Sequence, residues 1–279
     1  MANAQKLTLK HKDTLFRTLF SDSKNFLELY NAVSDENLPD DTEVTPYPTN
    51  ELLAKFNDLA AGVGNQLVVF FEHQSTPSPN MPLRLLSYVA DILYLHIVDK
   101  AKLYGTELVM IPTPKFYVLY NGEDKLSAME LKLSDAFIIK DTEPAMEITA
   151  KIIDIKPSAG DLALNKSETL NGYSFLIDEI RHNMRTGMTR DKAITTAMQL
   201  CIDKDILKEF LQNHYAEVLK MLDWEYDEEA HMRVIAEENR QKGRQEGLDL
   251  LEELLKTGMP LNEALQQAKS SLEITPPKQ

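Results

Sequence analysis

Asp58, Glu72 and Gln74 are the residues of this chain whose types and spacing can do chemistry. Glu72 closes the run Leu67-Val68-Val69-Phe70-Phe71, which is apolar, β-branched and aromatic. Such a run, short and bounded by turn residues, predicts a buried strand. A carboxylate at the end of a buried strand is costly unless it has a partner or a metal. Gln74 follows at i+2, so the alternation of a strand assigns both to one face. Asp58 lies on the preceding segment, beyond the Gly62-Val63-Gly64-Asn65-Gln66 break. If 51–61 is the partner strand, those glycines make the turn. An odd loop, Val63-Gly64-Asn65, pairs Asp58 with Phe70 and leaves Glu72 diagonal on the same face, about 7–8 Å away. A two-residue Gly64-Asn65 turn pairs Asp58 with Phe71 and assigns it to the opposite face. The expectation here is the odd loop. Two acids near one face with a backbone carbonyl make an all-oxygen site suited to Mg²⁺ or Mn²⁺. The plainer reading is one solvated acid at each strand end.

The elements that must position these groups follow in order. Residues 12–33 carry Leu15, Phe16, Leu19 and Phe20, then Phe26, Leu27, Leu29 and Tyr30, at helical spacing, with Ser21-Asp22-Ser23 as a break into two helices. Glu28 is read as a surface residue, with a first-helix role in the site as the rival reading. Residues 35–48 are acidic and Pro-rich and predict a loop, a poor strand until Val44. Pro77, Pro79 and Pro82 make a stiff connector. A helix is expected over 81–99, with Arg84, Tyr88 and Asp91 on one stripe. Arg84 either clamps a phosphate or pairs with Asp91. Strands are expected over 115–120, ended by Asn121-Gly122, and within 145–155. Leu126-Ser127-Ala128-Met129 does not read as a strand. Helix, antiparallel hairpin, helix and further strand make an α/β core. From residue 161 the pattern is helical, over 170–183, 191–200 and 202–224. Gly243 and Gly247 are expected to interrupt a charged helix that starts near Glu228. Leucine-bearing helices over 248–255 and 261–268 suit self-association. The expected division is a core over 1–160, a helical region over 161–240 and a flexible, Gly-interrupted tail over 241–279.

Asp58, the run Glu72-His73-Gln74-Ser75-Thr76, then Pro79-Asn80-Met81-Pro82-Leu83-Arg84 and Tyr88, closely resembles the bacterial recombination-promoting nuclease family, also described as PD-(D/E)XK nuclease family transposases. Lys12-Asp13-Thr14-Leu15-Phe16-Arg17-Thr18-Leu19-Phe20 resembles that family's opening helix. Phe116-Tyr117-Val118-Leu119-Tyr120-Asn121-Gly122 resembles a later core strand, and Gly243-Arg244-Gln245-Glu246-Gly247 its C-terminal tail. The resemblance implies a restriction-endonuclease-like core followed by a helical C-terminal region. It implies catalysis by Asp58, Glu72 and Gln74, with Mg²⁺ or Mn²⁺ held by Asp58, Glu72 and the main-chain carbonyl of His73. Arg84 and Tyr88 are the substrate-binding candidates, and DNA is the implied partner. Gln74 stands where the superfamily usually has lysine; glutamine orients a water but carries no charge. The family resembled also has glutamine there.

Composition narrows the classes. A chain of 279 residues, 43% hydrophobic and 27% charged, suits a globular protein with a sizeable core. No run approaches the length of a membrane span, and Met1 to Lys6 has no apolar signal core. One cysteine, Cys201, excludes an internal disulfide and fits a reducing cytoplasm, with the thiol buried and inert. The net charge of −14 argues against indiscriminate nucleic-acid binding. Local basic faces remain: Lys10, Lys12 and Arg17 against Asp13, and Arg181, Arg185, Arg190 and Lys192 against Asp191. The bland reading is that the second group pairs with the acidic segment 217–238. The first functional reading is a metal-dependent DNA endonuclease; the second is a non-catalytic DNA- or protein-binding module on the same fold. A serine or cysteine hydrolase has no Gly-x-Ser-x-Gly elbow to support it.

Overall fold

The computed structural model describes residues 14–34, 36–47, 58–73, 78–122, 126, 128–157 and 162–273. For Asp58, Phe71, Glu72, His73, Leu162, Trp224, Glu225, 227–239 and 269–273 the description is of the backbone alone. Two compact units divide the chain, 1–223 and 224–279.

The first unit opens with two short helices, α1 (Leu15–Phe20) and α2 (Ser23–Val33). Asp22 separates them as expected. Its carboxylate accepts from the amides of Lys24 and Asn25, satisfying donors that the first turn of α2 leaves free. Three strands follow: β1 (Val44–Tyr47), β2 (Asp58–Val63) and β3 (Gln66–His73). Pro46 lacks an amide donor and is tolerated because β1 lies at the sheet edge. Helix α3 (Met81–Ile92) then crosses back, continued by one π-turn over Leu93–Ile97. It leads to β4 (Thr113–Tyr120), which pairs parallel with β3. Parallel neighbours need such a crossover. β5 (Glu130–Lys132) and β6 (Thr149–Asp154) complete a six-stranded mixed sheet, ordered β1-β2-β3-β4-β6-β5. β6 is parallel to β4, and β5 is antiparallel to β6.

Helices cover both faces. Against α3, residues Met81, Leu85, Tyr88, Val89 and Ile92 bury Ala60, Leu67, Val69, Val118, Tyr120, Ala150 and Ile152. The alternate residues Leu59, Ala61, Val68, Phe70, Tyr117 and Leu119 are also buried. Phe26 of α2 meets Phe70 edge-on at 5.1 Å, and Tyr30 meets Tyr117 at 6.2 Å. A sheet buried on both faces explains why its strands read as unbroken apolar runs. Helix, hairpin, helix and parallel strand give the mixed α/β order of a restriction-endonuclease-like core.

Six further helices follow: α4 (Leu162–Lys166), α5 (Glu168–Arg185), α6 (Arg190–Asp203), α7 (Lys208–Asn213), α8 (Tyr215–Lys256) and α9 (Leu261–Glu273). The expected interruption at Gly243 and Gly247 is absent: α8 runs through both. One glycine costs a helix about 1 kcal/mol, and the surrounding Glu, Gln, Arg and Leu are strong helix formers. The break comes at Gly258 instead, where φ is +86° and Pro260 follows. In the second unit Ala264 and Ala268 of α9 are buried, while Leu248, Leu255, Leu261 and Leu265 are exposed.

Candidate active site at the carboxyl edge of the sheet

The hairpin register corrects the expected loop. Val63 pairs with Gln66, so the turn is the two residues Gly64-Asn65, and Asp58 pairs with Phe71. Gly64 takes φ +55°, the positive value a type II′ turn needs at its first central position. Such turns match the right-handed twist of paired strands, whereas an odd loop requires a bulge. The parity consequence is direct. Leu67 and Val69 belong to the α3 face and Val68 and Phe70 to the other, so register positions 58, 71 and 73 go with α3 and position 72 does not. Asp58 and Glu72 therefore sit at neighbouring positions of adjacent strands but on opposite faces. Gln74 lies outside the described residues.

The parallel strands stop together. His73 pairs with Tyr120, and Tyr120 pairs with Asp154, which puts the carboxyl ends of β3, β4 and β6 in one row. In open sheets the crevice outside these ends is where ligands bind. Each of the three strands gives way to polar residues there: Glu72-His73, Asn121-Gly122 and Asp154 with Lys156. Asp154 ends β6 in a local turn, accepting from the Lys156 amide at 3.1 Å on Oδ1 and from the Lys156 ammonium at 3.2 Å on Oδ2. The same ammonium lies 5.0 Å from the centroid of the Tyr120 ring.

Helix α5 fixes this edge from the other face. Ser174 Oγ donates to the carbonyl of Ile155, and Arg181 Nη1 donates to the carbonyl of Asn121. The two residues are seven apart, one stripe of a helix, so a single rigid element holds the ends of β4 and β6. Asn121 is fully buried, and its Nδ2 has no hydrogen-bond partner among the described residues. Gly122 is required by a close approach: a Cβ there would come within 2.4 Å of the buried Tyr120 ring. The start of α5 is tied in turn by Glu28. Its carboxylate accepts from Ser167 Oγ at 2.6 Å and from the Thr169 amide at 3.2 Å, an acid at a helix N-terminus. Glu28 is thus neither an open surface residue nor, by these bonds, part of the edge.

The substrate-binding candidates lie on α3. Tyr88 is only 3% exposed, and its ring belongs to the core beside Tyr120. Arg84 is half-buried, with Nη1 3.2 Å from Met81 Sδ. The basic group of α5 and α6 divides. Arg181 serves the strand end, and Arg190 Nε pairs with Asp223 Oδ1 at 2.8 Å, the pairing with the acidic segment that the bland reading expects. Arg185 is exposed. Lys10 and Lys12 lie outside the described residues. Cys201 is fully buried; burial first, and then the Glu179 charge, push its thiol up to about 12, so it is inert at neutral pH. Among the described residues no three His, Cys, Asp or Glu side chains form a metal-holding group, and no helix is long and apolar enough to cross a membrane. The metal candidates Asp58, Glu72 and His73 are described by backbone only.

The residues that sequence reasoning missed are Ser174, Arg181 in its structural role, Asp154 and Lys156. Only the last two left a trace: an acid and a base just where the apolar alternation of Ile148, Ala150 and Ile152 ends.

No curated protein and no solved structure matches the chain significantly. A model of the YhgA-like transposase family matches residues 58–233, beginning at Asp58 itself and spanning well over half of the 279 residues. The chain belongs to the YhgA-like transposase family, which gives it a transposition-related function and DNA as a partner.

Proposed function

We propose that this protein is a metal-dependent DNA endonuclease that promotes recombination or transposition by hydrolysing phosphodiester bonds. The observation that carries the reading is the family match together with the convergence of Asp58, Glu72 and His73 on the carboxyl edge of the sheet. The donor set fits a hard divalent cation: two carboxylates and the His73 carbonyl are all oxygen. Mg²⁺, or Mn²⁺ in its place, would polarise the scissile phosphate and lower the pKa of an attacking water when bound. Asp58 and Glu72 would hold it, Gln74 would orient the water by hydrogen bonding, and Arg84 would position the DNA backbone, while the buried Tyr88 would serve the core behind it. The parity of the hairpin asks the two acids to grip from opposite faces, around the strand ends.

That same parity favours a second reading, a DNA- or protein-binding module that keeps the fold without catalysis. Nicking of supercoiled plasmid by the purified protein separates the two. The endonuclease reading expects open circles with Mg²⁺ or Mn²⁺ and none with EDTA. Binding without nicking in either metal supports the module.

We further propose a cytoplasmic protein that self-associates through its C-terminal helices. Leu248 and Leu255 are seven residues apart on α8 and exposed, as are Leu261 and Leu265 on α9. Light scattering on Leu248→Asp with Leu255→Asp should give a smaller particle than the wild type; equal masses would remove these helices as the interface.

A further inference from the structure

We propose that Asn121 is a positioning residue of the candidate site: its side-chain amide donates to the Glu72 carboxylate and holds it toward the cation. The inference takes Glu72 as a cation ligand from the endonuclease reading and Asn121 from the described geometry. Asn121 follows the last residue of β4 and is fully buried. Its Nδ2 has no hydrogen-bond partner among the described residues. A buried donor left unmade is costly, and a native chain keeps one where a water, an ion or a working group completes it. The amide gains nothing by turning over. Arg181 Nη1 lies 3.5 Å from Oδ1, and a guanidinium only donates, so the oxygen belongs on that side and Nδ2 turns away from it.

The sheet register leaves one neighbour for that donor. Val118 and Tyr120 belong to the α3 face, so positions 117, 119 and 121 of this strand go with the other, as does position 72 of β3. Leu119 pairs with Glu72 on one side and with Ile153 on the other. Toward β6, then, Asn121 has Ile153 and Ile155 on its face. Their side chains accept nothing, and the Ile155 carbonyl is engaged by Ser174. Toward β3 it has Glu72. That residue stands one strand over, about 4.8 Å, and two residues back, about 3.3 Å each, so the Cα atoms are about 8 Å apart. A glutamate and an asparagine side chain together span such a gap. A carboxylate that grips a divalent cation keeps lone pairs for a donor, and a donor there fixes the orientation of the ligand. Asp58 has the opposite face, so a glutamate that must reach round the strand ends to share its cation needs such a tether. The restraint runs from α5 through Arg181 to Asn121, and from Asn121 to Glu72.

Calorimetric titration of Mn²⁺ into the full chain tests this, with Asn121→Leu and Asn121→Ala beside the wild type and a thermal melt of each. Both variants remove the donor, and the first keeps the volume. Mn²⁺ should bind about 10- to 100-fold more weakly to both, the loss typical of a metal ligand deprived of its hydrogen-bonded support. The Mn²⁺ concentration for half-maximal plasmid nicking should rise with it. A role in folding alone would lower the melting temperature and leave the Kd of the folded protein where it was; an unchanged Kd in either variant overturns the assignment. Should neither variant fold, the wild type decides. In crystals soaked in Mn²⁺ the Asn121 Nδ2 should lie about 2.9 Å from a Glu72 carboxylate oxygen, and a separation beyond about 3.5 Å from both oxygens overturns it. Nicking is scored separately. A wild type whose Mn²⁺ affinity depends on Glu72 and Asn121 but which never nicks overturns the endonuclease reading and leaves Asn121 in place. Nicking that depends on Glu72, with an Mn²⁺ affinity indifferent to Asn121, does the reverse. A wild type that binds no Mn²⁺ overturns both.

Discussion

The two ends of the central sheet solve the same problem differently. At the hairpin-turn end the polar groups consume one another. Tyr30 donates to Gln66 Oε1, and Gln66 Nε2 donates to both oxygens of Glu36, at 2.7 and 2.6 Å. The Thr113 amide donates to the Asn65 carbonyl at 3.0 Å, so β4 starts where the turn ends. Burial, together with the charges of Tyr117 and Glu36, raises the Tyr30 hydroxyl above the usual tyrosine range, so it remains a donor. At the carboxyl end the strand carbonyls are taken from one face by α5, through Ser174 and Arg181. A polar group beyond the needs of the local structure remains there: the Asn121 amide, whose Nδ2 has no hydrogen-bond partner among the described residues. A closed end stabilises the hairpin; an end held from behind by one helix carries the groups that chemistry can use.

The largest effect expected from breaking this contrast is on activity alone. Asp58→Ala and Glu72→Ala should each lower plasmid nicking by about 100-fold or more, the scale of losing a main electrostatic element of a site, while the melting temperature stays within about 2 °C. Both variants at wild-type activity would remove these acids from the chemistry. Next comes the scaffold of the same end. Gly122→Ala drives a methyl into the Tyr120 ring, and Arg181→Met leaves the Asn121 carbonyl without its donor. Each should cost about 1–3 kcal/mol in denaturant unfolding. Wild-type midpoints for both would mean that α5 does not hold this edge.

At the turn end, Gln66→Leu should cost about 1–2 kcal/mol, because Tyr30 and Glu36 lose their shared partner, and should leave nicking per folded molecule unchanged. A loss of nicking beyond the loss of folded protein would show that the two ends are coupled. The smallest expected effect is at Cys201: no alkylation by iodoacetamide at pH 8 in the native state, with full labelling in denaturant. Labelling of the native protein at the rate of a free thiol would contradict the burial of α6.

Much of the scaffold was legible because burial on two faces leaves an apolar signature. The run that became β3, the strands later found as β4 and β6, and the break at Asp22 between α1 and α2 all carry it. β5 carries none: it is three residues long, two of them charged, and only its pairing with β6 makes it a strand. The hairpin parity was not legible, since Gly62-Val63-Gly64-Asn65-Gln66 accommodates a loop of either length and one residue of slip moves Asp58 across the sheet. Glu28 and Arg181 were read from their neighbours in sequence, but their partners are 139 and 60 residues away. The continuity of α8 escaped because single glycines were weighed as breaks, although their cost is small beside a long run of good helix formers.

The central claim is that Asp58 and Glu72, on opposite faces by register, hold one cation between them at the strand ends. The direct measurement is anomalous scattering from crystals of the wild type soaked in Mn²⁺. The account predicts one strong peak at the carboxyl end of β3, bonded to carboxylate oxygens of both acids and to the His73 carbonyl, and lost in Glu72→Ala. No peak there at millimolar Mn²⁺, or a peak bound by only one of the two acids, would contradict it.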